Sequence, residues 1–160
     1  DGLLRDVIAR LMQTVRPDGV SDKALPEPAL DLAPLELSPD QALPGAMFAV
    51  EALTNAFKHS MPDAAGRHWI SVTLTRDAGE ACLTLASSGR GPPTGEGEAP
   101  MSTLRRRQLG QRLIEGFARQ LRGTLQAGWE GDSFVARLRF TPKETSDVAQ
   151  EAGAFGVPSD

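Results

Sequence analysis

The segment from Ala42 to Ser60 constrains the architecture more than any other. Leu43, Met47, Val50, Leu53 and Phe57 recur three or four residues apart, the period of one helical face, so residues 42–60 read as an amphipathic helix. A helix that is greasy on one side has to bury that side against another element. The rest of the chain supplies that element as two hairpins. Alternating runs near 68–76 and 80–87 flank the tight turn Asp77-Ala78-Gly79, and runs near 124–129 and 133–140 flank Gly131-Asp132. Leu35-Glu36-Leu37 is read as a further short strand, preceded by a loop over 17–34 that carries Pro17, Pro26, Pro28 and Pro34. Two more helical patterns complete the order. Leu3, Leu4, Val7, Ile8, Leu11, Met12 and Val15 form a stripe that stops before Pro17. Leu109, Leu113, Phe117 and Leu121 form another, with Gly123 expected to end it in the left-handed conformation.

This order predicts an α+β fold, a two-layer sandwich whose mixed, mostly antiparallel sheet is covered on one face by helices. The domain reading is a lead-in helix over 1–20, the main domain over 21–142, and a tail over 143–160 with little to bury. With 160 residues the chain has enough length for one proper core. A net charge of −4 gives no basic excess to displace counterions, which argues against a general nucleic-acid binder. The single cysteine, Cys82, cannot form an internal disulfide and fits a reducing, cytoplasmic compartment. No apolar run approaches the ~18–20 residues of a membrane span, so no membrane contact is expected of this segment. Because it starts at Asp1, the chain is expected to be a piece of a longer protein, which could carry a membrane anchor elsewhere.

The polar side of the 42–60 helix carries the chemistry. Glu51 and Asn55 are one turn apart, and Lys58 and His59 follow one turn later. A carboxylate, a carboxamide, an ammonium and an imidazole thus share one side of a helix. Asparagine is a poor helix former, so Asn55 at helix centre asks for a reason beyond solvation. The set suits a magnesium–phosphate complex: a carboxamide oxygen can ligate the hard cation, a carboxylate can orient a bound water, and cations can face phosphate oxygens. With two histidines and one cysteine at no ligand spacing, a zinc site is not expected.

Glu51-x-x-x-Asn55-x-x-Lys58-His59 resembles the N box of the sensor histidine kinase ATP-binding domain, in the GHKL ATPase superfamily. Over residues 42–59 the pattern Ala-Leu-Pro…Glu-x-x-Thr-Asn-Ala-x-Lys-His is most similar to the HWE-type kinases and their sister class. The element order extends the likeness to roughly residues 1–141. Ser87-Ser88-Gly89-Arg90-Gly91-Pro92 falls where the family has its G1 box, Asp-x-Gly-x-Gly. Gly89 and Gly91 match, but Ser87 stands where the family places the carboxylate that reads the adenine amino group. Leu85-Ala86-Ser87 likewise replaces the Trp-x-Glu of the HWE pattern, so the G1 box is degenerate. A hydroxyl can still accept that hydrogen bond, but without the charge that strengthens it. Gln108-Leu109-Gly110 resembles the G2 box, with Gly110 matching and Gln108 in place of a glycine. The free amides of such a helix start suit a polyphosphate. Arg105, Arg106 and Arg107 precede it, either contacting phosphates or forming a solvated face. Leu121-Arg122-Gly123-Thr124 resembles the family's Leu-Gly-Gly-Thr, where Thr124 either reaches a phosphate or is simply a β-branched strand residue. His68 is expected to be structural.

The resemblance implies ATP and Mg2+ as cofactors, with Asn55 holding the metal and Glu51 orienting or activating the attacking group. Lys58, His59, Arg107, Gly110 and Thr124 would face phosphates, while Ser87, Gly89 and Gly91 would surround adenine. It implies delivery of the γ-phosphate to a histidine on an upstream dimerisation domain outside this chain. The partners would be that domain and a response regulator, in a homodimeric full-length protein. Two alternatives remain: a degenerate relative acting as a phosphotransfer or regulatory scaffold, and an anti-sigma-type serine kinase.

Overall fold

A computed structural model of the chain describes Asp6, Ala9, Arg10 and residues 26–91 and 112–143. The first three are helical; the rest of the segment expected to be a lead-in helix, and the tail from residue 144, lie outside the described residues. Five strands form one mixed sheet: β1 (Ala29–Leu32), β2 (Ile70–Asp77), β3 (Glu80–Ser88), β4 (Thr124–Glu130) and β5 (Ser133–Phe140), in spatial order β1-β2-β3-β5-β4. β1 runs parallel to β2 and the other pairings are antiparallel. Helix α1 (Pro39–His59) crosses between the two parallel strands, and a second helix, α2, covers residues 112–120. The fold is α+β, as the element order requires.

Both hairpins sit where the turn chemistry puts them. Asp77 pairs with Glu80 around Ala78 and Gly79, which both have positive φ (47° and 84°), as a two-residue type I′ turn demands. The first strand is a correction. Leu35 and Leu37 are buried but lie in an irregular segment, and β1 lies earlier, inside the proline-bearing loop. Pro28 and Pro34 flank β1, and β1 is an edge strand, the one place in a sheet that tolerates prolines nearby.

The helices also pack on faces other than those the periodicity singled out. On α1, Leu53 and Phe57 point inward as expected, but Leu43 is 67% exposed and Met47 43% exposed. The buried side is instead Ala42, Ala46, Phe48, Ala49, Ala52, Leu53, Ala56 and Phe57. Alanines let the helix approach the sheet closely, and a scan for large apolar residues passes over them. On α2, Ile114, Ala118 and Leu121 are buried while Leu113 is exposed. Gly123 does not take the left-handed position at the helix end. Arg122 does, with φ 50°. The amides of Arg122 and Gly123 donate to the carbonyls of Arg119 and Ala118, the paired bonds of a Schellman cap. Gly123 is required for space, because a Cβ there would lie 2.4 Å from the carbonyl oxygen of Arg139.

Side chains that are neighbours across the strands share a face, so the helix-facing side of the sheet can be read in rows. Leu74, Leu83, Leu138 and Leu125 form one row, and three of them are essentially inaccessible beneath α1. The next row, Val72, Leu85, Ala136 and Ala127, shrinks toward β4. The last is Ile70, Ser87, Phe134 and Trp129. The core therefore fills one end of the layer and leaves the other open.

The start of α1 is fastened to the end of the sheet by a buried side chain. Gln41, 4% exposed, donates to the carbonyl of Thr141 (2.9 Å) and accepts from the amide of Lys143 (2.6 Å). The amide of Ser38 donates to the carbonyl of Lys143 (3.1 Å). Lys143, assigned to the tail on sequence, is thus held to the domain. Gln41→Leu keeps the volume but strands the Lys143 amide and the Thr141 carbonyl. It is expected to cost about 2 kcal/mol, seen as a lower urea midpoint at unchanged slope.

Candidate functional site

The open end of the layer is a cavity of about 520 Å3 bounded by both helices and the far end of the sheet. Among the described residues, its polar lining comes from three elements. α1 contributes Asn55 and His59, one turn apart near its C-terminal end. The end of β3 contributes Ser87 and Ser88, and α2 contributes Glu115. Its apolar wall is Leu85, Ile114 and Leu125 with the aromatic pair Trp129 and Phe134, whose rings meet edge to face at 5.6 Å and 78°. The volume lies within the roughly 300–1,000 Å3 of small-molecule sites, and an apolar body with a few convergent polar groups is their usual composition.

Of the residues singled out in the sequence, Asn55, His59 and Ser87 are brought together here, although Ser87 is distant in sequence from the helix. Glu51 and Lys58 lie on the solvent flank of α1 beside Asn55, half-buried and exposed respectively, and neither lines the cavity. Gly89 and Gly91 pack against the β4–β5 turn: the Gly89 amide donates to the Asp132 carbonyl (2.7 Å), and Gly91 has φ 77°. Thr124 is not brought to the cavity. Leu125, Ala127 and Trp129 face inward, and strand alternation turns Thr124 to the opposite face, beside Arg139. Arg107 and Gly110 lie outside the described residues.

Glu115, Trp129 and Phe134 were not found by motif reasoning. A signal for the last two was present, because aromatic residues on either side of Gly131-Asp132 are hairpin partners and must share a face. Gly89 also gains a different explanation. A Cβ there would come within 2.7 Å of Cη2 and Cζ3 of Trp129, so the group that approaches this backbone is an indole of the chain itself.

The connection from α1 to β2 holds the cavity rim. Ser60 Oγ lies 2.9 Å from His68 Nε2, which gives His68 a structural partner. The Met61 amide donates to the Ser88 carbonyl, and Ser88 Oγ accepts from the Trp69 amide. Asp63, 8% exposed, folds this connection around its carboxylate: Oδ1 accepts from the amides of Ala65 and Arg67, and Oδ2 from the Arg67 guanidinium. The Arg67 amide foremost, aided by its side chain, holds the Asp63 carboxyl below the ordinary carboxylate value. Among the described residues, no cluster of three or more His, Cys, Asp or Glu could hold a metal by itself. A site for magnesium with one protein ligand differs from such a cluster, since that ion commonly keeps phosphates and waters as its other ligands. Asn55 is a carboxamide in the cavity lining that could hold such an ion. No helix among the described residues is long and apolar enough to cross a membrane.

No protein-family model matches this chain, and no curated protein sequence does. Solved structures do match. The blue-light activated histidine kinase EL346 of Erythrobacter litoralis superposes over 90% of this chain and 42% of its own, at TM-score 0.65 and 15% identity. The Acinetobacter baumannii histidine kinase AdeS superposes over 88% of this chain and 65% of its own, at TM-score 0.64 and 15% identity. The isolated catalytic domain of the histidine kinase ThkA matches over 88% of this chain and 92% of its own, at TM-score 0.59 and 13% identity. The chain therefore has the fold of a histidine kinase catalytic domain and spans less than half the length of EL346.

Because Asp63 has a lowered pKa when folded, its ionised form favours the native state. That contribution is complete above the unfolded value of about 3.9 and is lost as pH falls through the folded value. Asp63→Asn is expected to be less stable than the parent at pH 7, and the difference should shrink as pH falls below about 3.9 and through the folded value, where the parent carboxyl takes up its proton. Urea unfolding of both proteins at a series of pH values from 7 downward measures this.

Proposed function

We propose that a chain with this fold and this cavity acts as the ATP-binding domain of a sensor histidine kinase, holding Mg-ATP for phosphoryl transfer to a histidine outside the chain. The observation that carries the reading is the convergence of Asn55 and His59, from one motif, with Ser87, from another, on one cavity of nucleotide size. Among the matched structures, that of full-length ShkA is in complex with AMPPNP; it superposes over 89% of this chain at TM-score 0.58 and 17% identity.

Bound Mg-ATP supplies an activated phosphoryl group and ADP as leaving group. The protein's task is positioning and charge stabilisation, as is general for phosphoryl transfer. Asn55, which lines the cavity, would hold the metal through its carboxamide oxygen. His59, one turn further along α1, faces the cavity as the phosphate-side donor, and Lys58 adds positive charge on the adjoining flank. Glu51, one turn before Asn55 on the flank of α1, would orient or activate the attacking imidazole. Ser87 offers a hydroxyl to the base. Arg107 and Gly110 are assigned to the phosphates by their motif. In this reading the full protein is a homodimer that supplies the phosphoacceptor helix, passes its phosphoryl group to a response regulator, and keeps this domain in the cytoplasm.

Asn55 is only half-buried and lies off the packed side of α1, so its removal should leave the fold unchanged. Asn55→Ala is expected to weaken magnesium-dependent nucleotide binding by at least about tenfold, as befits loss of a metal ligand. Calorimetric titration with Mg-ATP decides it: equal affinity in parent and variant removes Asn55 from the site.

A second reading, a kinase-like scaffold that binds nucleotide poorly, is favoured by one observation. Ser87, 4% exposed, presents a neutral hydroxyl where a carboxylate would read the adenine amino group. Ser87→Asp is expected to tighten ATP binding roughly five- to tenfold, about 1 kcal/mol, and to weaken GTP, whose carbonyl would meet the new charge. Titration of both nucleotides, with circular dichroism to verify folding, tests this. If the parent binds neither at millimolar concentration, the scaffold reading replaces the kinase one.

A further inference from the structure

Resting on the nucleotide reading above, we infer that the base is held by stacking on Trp129, and that the site therefore accepts purine nucleoside triphosphates with little discrimination between adenine and guanine. Three observations place the base there. The last row of the sheet ends in Ser87, Phe134 and Trp129, so the aromatic pair stands beside the hydroxyl that replaces the base-reading carboxylate. Both rings line the cavity, and each remains 38% exposed, which leaves ring surface for a ligand to cover. The indole is also held in position, by the edge-to-face contact with Phe134 and by Gly89, where even a methyl group would collide with its rim.

The chemistry at this end of the cavity decides what kind of reading is possible. A carboxylate distinguishes the amino group of adenine from the carbonyl of guanine by charge. A serine hydroxyl can donate or accept, and so satisfies either. Ser88 is already engaged, its hydroxyl bonded to the Trp69 backbone. What remains is the π surface, and every base has a π face, so stacking supplies affinity without choosing between bases. Among the described residues, Glu115 is the one carboxylate in the lining; it stands on α2, across from the sheet.

The chain has two tryptophans, which makes the idea directly measurable. In Trp69→Phe protein, Trp129 is the sole indole. Titrate that protein with Mg-ATP, Mg-GTP and magnesium tripolyphosphate, following Trp129 emission, and measure the affinities by calorimetry. Both nucleotides should quench the emission and bind within about threefold of each other, while tripolyphosphate should bind without quenching. Trp129→Leu should weaken both nucleotides about tenfold and leave tripolyphosphate unchanged; Trp129→Phe should retain most of the affinity. Nucleotide binding without quenching overturns the stacking role and leaves the nucleotide site standing, whatever the folding of the leucine variant. A parent that prefers ATP more than about tenfold over GTP, with the preference lost in Glu115→Gln, overturns the tolerance and assigns base reading to that carboxylate. If the parent binds no nucleotide, the inference falls together with the reading it rests on.

Discussion

The helix side of the cavity depends on where α1 begins, and a buried glutamine together with the Ser38 amide fixes that. Gln41 uses both ends of its amide, donating to Thr141 and accepting from Lys143. A buried amide that satisfies both partners fixes distance and orientation together, which apolar contact alone does not. The helix is a rigid rod. Its first turn is fixed against the end of β5, and Phe48 and Leu53 are fully buried over the sheet. The position of Asn55 and His59 near its other end follows from those two constraints. The cavity-lining side chains of α1 are thus placed by a polar contact far from them.

The cavity follows from residue size. Along Leu74, Leu83 and Leu138 the sheet and α1 close completely. One row further on, Ala136 and Ala127 lie where β3 has Leu85, and the helices cannot sink further because the leucine row already holds them. Small residues on β4 and β5 therefore leave a space bounded by aromatic rings. A site formed in this way is rigid on its sheet side, where hydrogen-bonded ladders back every wall residue. Its helix side depends on α2 and on the connection that Asp63 folds.

Much of this was legible in the sequence, for identifiable reasons. The two hairpins follow from alternation and from turn residues, and their registers are fixed by the two-residue loops themselves. Asn55 stood out because a poor helix former in mid-helix needs a reason. β1 was missed because four residues between prolines carry no alternation signal, and parallel pairing with a strand some forty positions away leaves no local trace. The inward face of α1 was misread because alanines, not leucines, make the contact, so Leu43 and Met47 were credited with burial they do not have. Gln41 as a clasp could not be read at all, since its partners lie at the far end of the chain. Trp129 was readable as a hairpin partner of Phe134, but its approach to Gly89 exists only once β3, β5 and β4 lie side by side.

That approach ties two positions into a single unit of inheritance. Gly89 has no room for a side chain while residue 129 is an indole, and a smaller residue at 129 would leave a hollow beside the glycine. Neither can drift alone without cost. In descendants of this chain the two should change together or not at all. A motif glycine that looks like a requirement of the loop is, in this protein, kept in place by an aromatic ring on another strand.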